Sequence, residues 1–165
     1  MSTGRRFIAG WDDVAHPATG YDRHGMTDSL AEIYLHFVWA TWDRVPMLTR
    51  RVAALVRRCI ATTCEDRGCV LLAVGGTADH IHVLLRVPAT RGPASIAHDM
   101  KGASSHFVTH APGGDPGFRW QAGYAVFSVS PHDADSVIKY IKCQAQHHKD
   151  RTDEFGAWEL PPSAR

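Results

Sequence analysis

Between Ile33 and Thr41 the apolar and aromatic side chains alternate, Leu35, Phe37 and Trp39 on one face and Tyr34, His36 and Val38 on the other, which predicts a half-buried strand. The period then lengthens. Val52, Leu55, Val56, Cys59, Ile60 and Thr63 recur at helical spacing, so residues 49–65 predict a helix with Arg50, Arg51, Arg57 and Arg58 on the opposite side. Cys69 to Val74 is a short apolar strand, Gly75-Gly76-Thr77-Ala78 a tight turn, and His80 to Val87 the second strand of a hairpin. Pro93 to about Val108 predicts a helix with Ile96, Met100, Ala103 and Phe107 inward, although Gly102 costs it ~1 kcal/mol relative to alanine. Residues 111–117, APGGDPG, read as a loop, and Tyr124 to Val129 as a fourth strand. A last helix is expected to start with Ser130 as N-cap, Pro131 at its first position and Asp133 at the reciprocal capping position, and to run to about His148.

Strand, helix, strand, strand, helix, strand is the ferredoxin-like β-α-β-β-α-β arrangement: an α+β fold whose antiparallel sheet carries two helices on one face, here with an additional C-terminal helix. The expected organisation is a polar N-terminal arm (1–30), one catalytic domain (31–150) and a C-terminal tail (151–165). A chain of 165 residues with 44% hydrophobic content can bury a core without staples. No apolar run approaches the ~18 residues of a membrane span, and Arg5-Arg6 precedes only Phe7-Ile8-Ala9, so no membrane partner and a cytoplasmic, nucleoid-associated location are expected. The four cysteines form no CxxC pair and read as reduced, packed thiols. No GxxxxGK[ST] loop occurs, so no nucleotide cofactor is expected.

The chemistry concentrates in two elements. In the strand from His80, Ile81, Val83, Leu85 and Val87 share one face while His80 and His82 share the other, with Cα atoms roughly 6 to 7 Å apart, close enough for two imidazoles to converge on a cation. Alone, such a pair reads more readily as two histidines on a sheet face, under solvent or a helix. In the last helix Tyr140, Gln144 and His147 form a stripe beside Val137, Ile138, Ile141 and Ala145. Facing a cation, the Gln144 carbonyl is a reasonable third ligand; otherwise Tyr140 packs and Gln144 is solvated. The net charge of +1 conceals local basic stretches: Arg44 to Arg58 contribute five arginines with no acid between Asp43 and Glu65, and Lys139, Lys142 and Lys149 lie between Asp135 and Asp150 with none.

DHIHVLL (79–85), FRWQAGYAVFSVS (118–130) and KYIKCQAQHH (139–148), together with HFVWATWDRVPMLT and KGASSH, resemble the single-tyrosine HUH transposases of 200/605-type insertion sequences and their REP-associated relatives, over about residues 33–148. The resemblance implies that His80 and His82 are the HUH pair, Gln144 the third metal ligand and Tyr140 the nucleophile. It also implies Mg²⁺ or Mn²⁺ on the scissile phosphate of single-stranded DNA, a 5′-phosphotyrosine intermediate, recognition of hairpins at the element ends, and a homodimer. The residue types suit this chemistry: a phenol with pKa ~10 needs a nearby positive centre, and neutral ligands leave a cation's charge undiminished. Imidazole also suits other divalent ions, so another metal can occupy such a site. Candidate DNA contacts are Arg50, Arg51, Arg57, Arg58, Lys101, Arg119, Lys142 and His147 for phosphates, with Trp120 either a stacking platform for an unpaired base or a core residue. The expected function is a transposase that cleaves and rejoins single strands. The rivals are a replication-initiator-type nickase and a catalytically silent module that binds hairpin DNA or RNA on the same fold.

Overall fold

The structure is a computed structural model that describes residues 30–144; the expected arm and tail, and the part of the expected last helix after 144, with His147, lie outside the described residues. The elements are β1 (Ile33–Ala40), α1 (Arg50–Asp66), β2 (Val70–Gly76), β3 (His80–Val87), α2 (Pro93–His110), β4 (Ala125–Val129) and α3 (Ala134–Lys142). The strands form an antiparallel sheet in the order β2-β3-β1-β4. Among the described residues no helix is long and apolar enough to cross a membrane.

Strand alternation gives this sheet two different faces. Leu35, Phe37 and Trp39 of β1 and Ile81, Val83 and Leu85 of β3 join Val52, Val56 and Ile60 of α1 and Ile96, Ala97, Met100 and Val108 of α2 in the main core. On the other face α3 lays Val137, Ile138, Tyr140 and Ile141 against Ala73 and Leu84. His80, His82 and His36 point to that second face, opposite the main core. The face that folds the domain is therefore distinct from the face that carries its candidate chemistry.

Several elements depart from the sequence pattern for identifiable reasons. Gly75 and Gly76 lie inside β2, paired with His82 and Ile81, and the hairpin turn falls after them. The inward face of α2 is rotated from the expected one: Ser104 and Val108 are buried, whereas Ala103 is exposed and Phe107 half-buried. A serine is tolerated there because its hydroxyl donates to Met100 O (2.6 Å) and accepts from Trp120 Nε1 (2.9 Å). The helix expected from Ser130 begins at Ala134, because Ser130 closes a turn instead: its Oγ accepts from His132 N and its carbonyl from Asp133 N. All four cysteines are free, and burial pushes the Cys64 thiol up to about 12.

Candidate active site

β3 enters the site immediately after the hairpin turn, and the turn holds its first residue. His80 is buried, and its Nδ1 lies 2.7 Å from Asp79 Oδ1 and 2.8 Å from Thr77 Oγ1. Thr77 donates its hydroxyl to the same carboxylate oxygen at 2.7 Å, and Arg44 reaches the other oxygen at 3.2 Å. These contacts, led by the hydrogen bond from His80, hold the Asp79 carboxyl well below the usual carboxylate range. An ionised Asp79 keeps the proton of His80 on Nδ1 and leaves the lone pair on Nε2, which is the orientation a metal-ligating imidazole needs.

His82, two residues on and on the same face, is held by a second histidine. His36 Nε2 stands 3.0 Å from His82 Nδ1, and the two rings stack with centroids 5.2 Å apart. Burial lowers the His36 pKa from 6.5 to about 4, so His36 is neutral at ordinary pH and can accept a proton from His82 Nδ1. That assignment again leaves Nε2 of His82 with its lone pair, and Nε2 of both histidines is buried within the site. The His80 and His82 rings are 5.2 Å apart, centre to centre.

α3 brings the remaining groups over this pair. Tyr140 is buried and meets the His82 ring edge-on at 5.5 Å and the His36 ring at 6.3 Å. Gly75, the register partner of His82, makes this approach possible: a Cβ there would overlap the Ile141 carbonyl oxygen of α3 and stand 2.9 Å from Ile141 Cγ2. Beyond a turn at Cys143, Gln144 is 1% exposed, yet neither end of its amide has a hydrogen-bond partner among the described residues. A buried amide in that condition costs ~1–3 kcal/mol unless something else engages it. Among the described residues no three His, Cys, Asp or Glu side chains cluster as a metal-binding set. Two imidazoles and the Gln144 carbonyl oxygen fit a divalent cation as neutral donors, and the orphaned amide is the observation that favours one.

A family profile described as "Transposase IS200 like" matches residues 29–144, which is most of the chain. The chain belongs to the IS200-like transposase family. Among its relatives, the ISDra2 transposase TnpA of Deinococcus radiodurans is 23% identical over 124 residues, covering 72% of this chain and 87% of the relative. The transposase for insertion sequence element IS200 of Salmonella typhimurium is 31% identical over 106 residues, covering 61% of this chain and 66% of the relative. The fold matches a crystal structure of a Deinococcus radiodurans protein with a TM-score of 0.57 at 24% identity, over 73% of this chain and 96% of that one. It also matches a REP-associated tyrosine transposase solved with a REP hairpin, with a TM-score of 0.55 at 16% identity, over 76% of this chain and 74% of that one.

In this IS200-like transposase, His80, His82 and Tyr140 come together within one chain, with the buried Gln144 one helical turn beyond Tyr140, whereas the expected DNA contacts are scattered. Arg50, Arg51, Arg57 and Arg58 ride on α1, on the sheet face away from Tyr140. Arg51 lies over Gly113 and donates to Pro112 O at 3.4 Å, and Arg57 is half-buried. Lys101 is not presented to an incoming phosphate: its ammonium donates to the carbonyls of Gln121, Ala122 and Gly123, each at 2.8 Å, and burial lowers its pKa to about 8. Trp120 is a core residue rather than a platform, buried edge-on against Trp39 and Phe118. Lys142 is exposed on α3, and Arg119 is exposed beside Trp42.

His36 is the site residue that sequence reasoning missed. The alternation of β1 already placed it on the face opposite Phe37 and Trp39. Only the β1–β3 register, Val38 opposite His82 and His36 opposite Leu84, shows that it lies beside the pair.

Proposed function

We propose that this transposase cuts and rejoins single-stranded DNA through Tyr140. The observation that carries the reading is the placement of the Tyr140 ring edge-on against His82 at 5.5 Å, on the face where a buried Gln144 amide lacks a partner. His80, His82 and Gln144 would hold a divalent cation. When bound, that ion polarises the non-bridging oxygens of a phosphodiester and offsets charge developing in the transition state.

The chain's own residues supply orientation. Asp79 and Thr77 fix the ring of His80, and neutral His36 fixes that of His82. α3 directs the Tyr140 hydroxyl toward the phosphate. Tyr140 Oη bonds to phosphorus as the bond to the 3′ oxygen breaks; the phenolic proton is lost and the departing 3′ oxygen gains one, giving a 5′-phosphotyrosine and a free 3′-OH. The phosphotyrosine keeps the phosphodiester's transfer potential, so a new 3′-OH can reverse the step without a nucleotide cofactor. A substrate with hairpins is supported by the likeness to the hairpin-bound REP-associated transposase. The resemblance implies a homodimer in which the tyrosine helix of one copy completes the HUH site of the other; the Tyr140–His82 contact within this chain supports a site complete in each copy instead.

The test is incubation of the full chain with Mn²⁺ and end-labelled hairpin DNA from its element's flanks, followed by denaturing electrophoresis. Wild type should give a covalent band and Tyr140→Phe none. Hairpin binding by the wild type with no covalent band would favour the silent binding module.

A further inference from the structure

Just past the end of β1 the chain opens a groove of about 500 Å³ lined by Trp42, Val45, Met47, Gly117, Phe118 and Arg119. Backbone pairing builds it: Trp42 N donates to Arg119 O at 3.0 Å, and Thr41 bridges to Trp120. The Arg119 guanidinium is thereby set 4.2 Å from the centre of the Trp42 ring. Trp42 and Val45 are 46% and 48% exposed, an apolar and aromatic surface left open to solvent next to a cation.

The groove is tied to the site. Asp43 and Arg44 both adopt left-handed backbone (φ 51° and 52°), which no glycine relieves, and this conformation turns the chain so that Arg44 reaches Asp79. Asp79 in turn holds His80. The segment is further fastened to the hairpin turn by Thr41 N to Asp79 O (2.8 Å) and Leu48 N to Ala78 O (2.9 Å). The groove thus begins two residues beyond Ala40, the register partner of His80.

We infer that the groove seats one unpaired nucleobase of the bound DNA strand, stacked on the Trp42 indole, with Arg119 over the same ring and available to the adjoining phosphate. The inference rests on the strand-cleavage reading above. A base offers the flat π-face that an exposed indole can cover, whatever its identity, and an arginine beside the stack favours a ligand that carries phosphates. None of the side chains lining the groove is acidic. The platform sought at Trp120 is thus supplied by Trp42.

The test compares binding of two probes by the full chain without divalent metal, at one fixed salt concentration: dT20, and a 20-mer of abasic tetrahydrofuran nucleotides with the same number of phosphates. Wild type should prefer dT20 about tenfold, Trp42→Ala should lose that preference with abasic affinity unchanged, and Trp42→Phe should keep most of it. A dT20 carrying 5-iododeoxyuridine should photocross-link to Trp42. No preference in the wild type, an unchanged preference in Trp42→Ala, or cross-linking confined to other residues would overturn the inference. Failure of the cleavage reading shows separately, as a missing Tyr140 adduct with hairpin DNA while the base preference persists.

Discussion

Replacing Gly75 with alanine tests whether the approach of α3 to the sheet sets the chemistry. The new Cβ would overlap the Ile141 carbonyl oxygen and lie 2.9 Å from Ile141 Cγ2 and 3.1 Å from the Ile141 carbonyl carbon. Ordinary carbon contacts begin near ~3.5 Å, so α3 must lift by at least about 0.6 Å, and further at the carbonyl. Tyr140 precedes Ile141 and would move with it. Misplacing a reacting group by about 1 Å costs on the order of 100-fold in rate. Overpacking of this kind destabilises by about 1–3 kcal/mol, which the larger core on the opposite face should survive. The assay is the single-turnover rate of covalent adduct formation, with thermal melting in parallel. The expected result is a rate loss of about 30- to 100-fold in a protein that still melts cooperatively. Gly102→Ala is the control: its Cβ meets nothing within 4 Å, so its rate should match wild type and its stability rise by about 0.5–1 kcal/mol. A Gly75→Ala rate within twofold of wild type would show that the approach of α3 to β2 does not set the chemistry.

The remaining predictions concern His36 and the assembly of the site. His36→Phe keeps a ring of similar size but removes the acceptor for His82 Nδ1, so Mn²⁺ affinity measured by calorimetry should fall about 10- to 100-fold; unchanged affinity would show that His36 only packs. The unfolded chain protonates His36 near 6.5 and the folded chain only near pH 4, so the unfolded state takes up the proton first as pH falls. His36 therefore costs no stability above pH 6.5, and roughly 3 kcal/mol should be lost between 6.5 and about 4, read by urea unfolding of metal-free protein and reduced in His36→Phe. Because His82 and Tyr140 meet within one chain, a mixture of Tyr140→Phe and His82→Ala proteins should give no covalent adduct, whereas recovery of activity on mixing would show that the tyrosine serves a partner's site.

The sequence made legible those features that depend on neighbours along the chain. The strand from His80 to Val87 needed only alternation, and the apolar stripe of α3 only helical spacing; the strand stands in the structure as read, and so does the stripe at Val137, Ile138 and Ile141, while Ala145 lies outside the described residues. Features fixed by distant partners escaped. The buried face of α2 depends on Ser104 meeting Trp120 sixteen residues away, and that contact also removes Trp120 from the surface. Gly75 reads as a turn residue by local rules, yet it works as a gap in β2 that α3 fills from 66 positions onward. His36 is 46 residues from the histidine it orients, and nothing in its own neighbourhood separates it from an ordinary strand residue. Trp42 sits between Thr41 and two residues in left-handed backbone that no local glycine signals.

The most direct test of the central claim is to digest the purified covalent DNA–protein adduct with nuclease and trypsin and locate the attached nucleotide by mass spectrometry. The expected result is a 5′-linked nucleotide on Tyr140, in the peptide Tyr140-Ile141-Lys142. A nucleotide on Tyr34, Tyr124 or a serine, with Tyr140 unmodified, would contradict it.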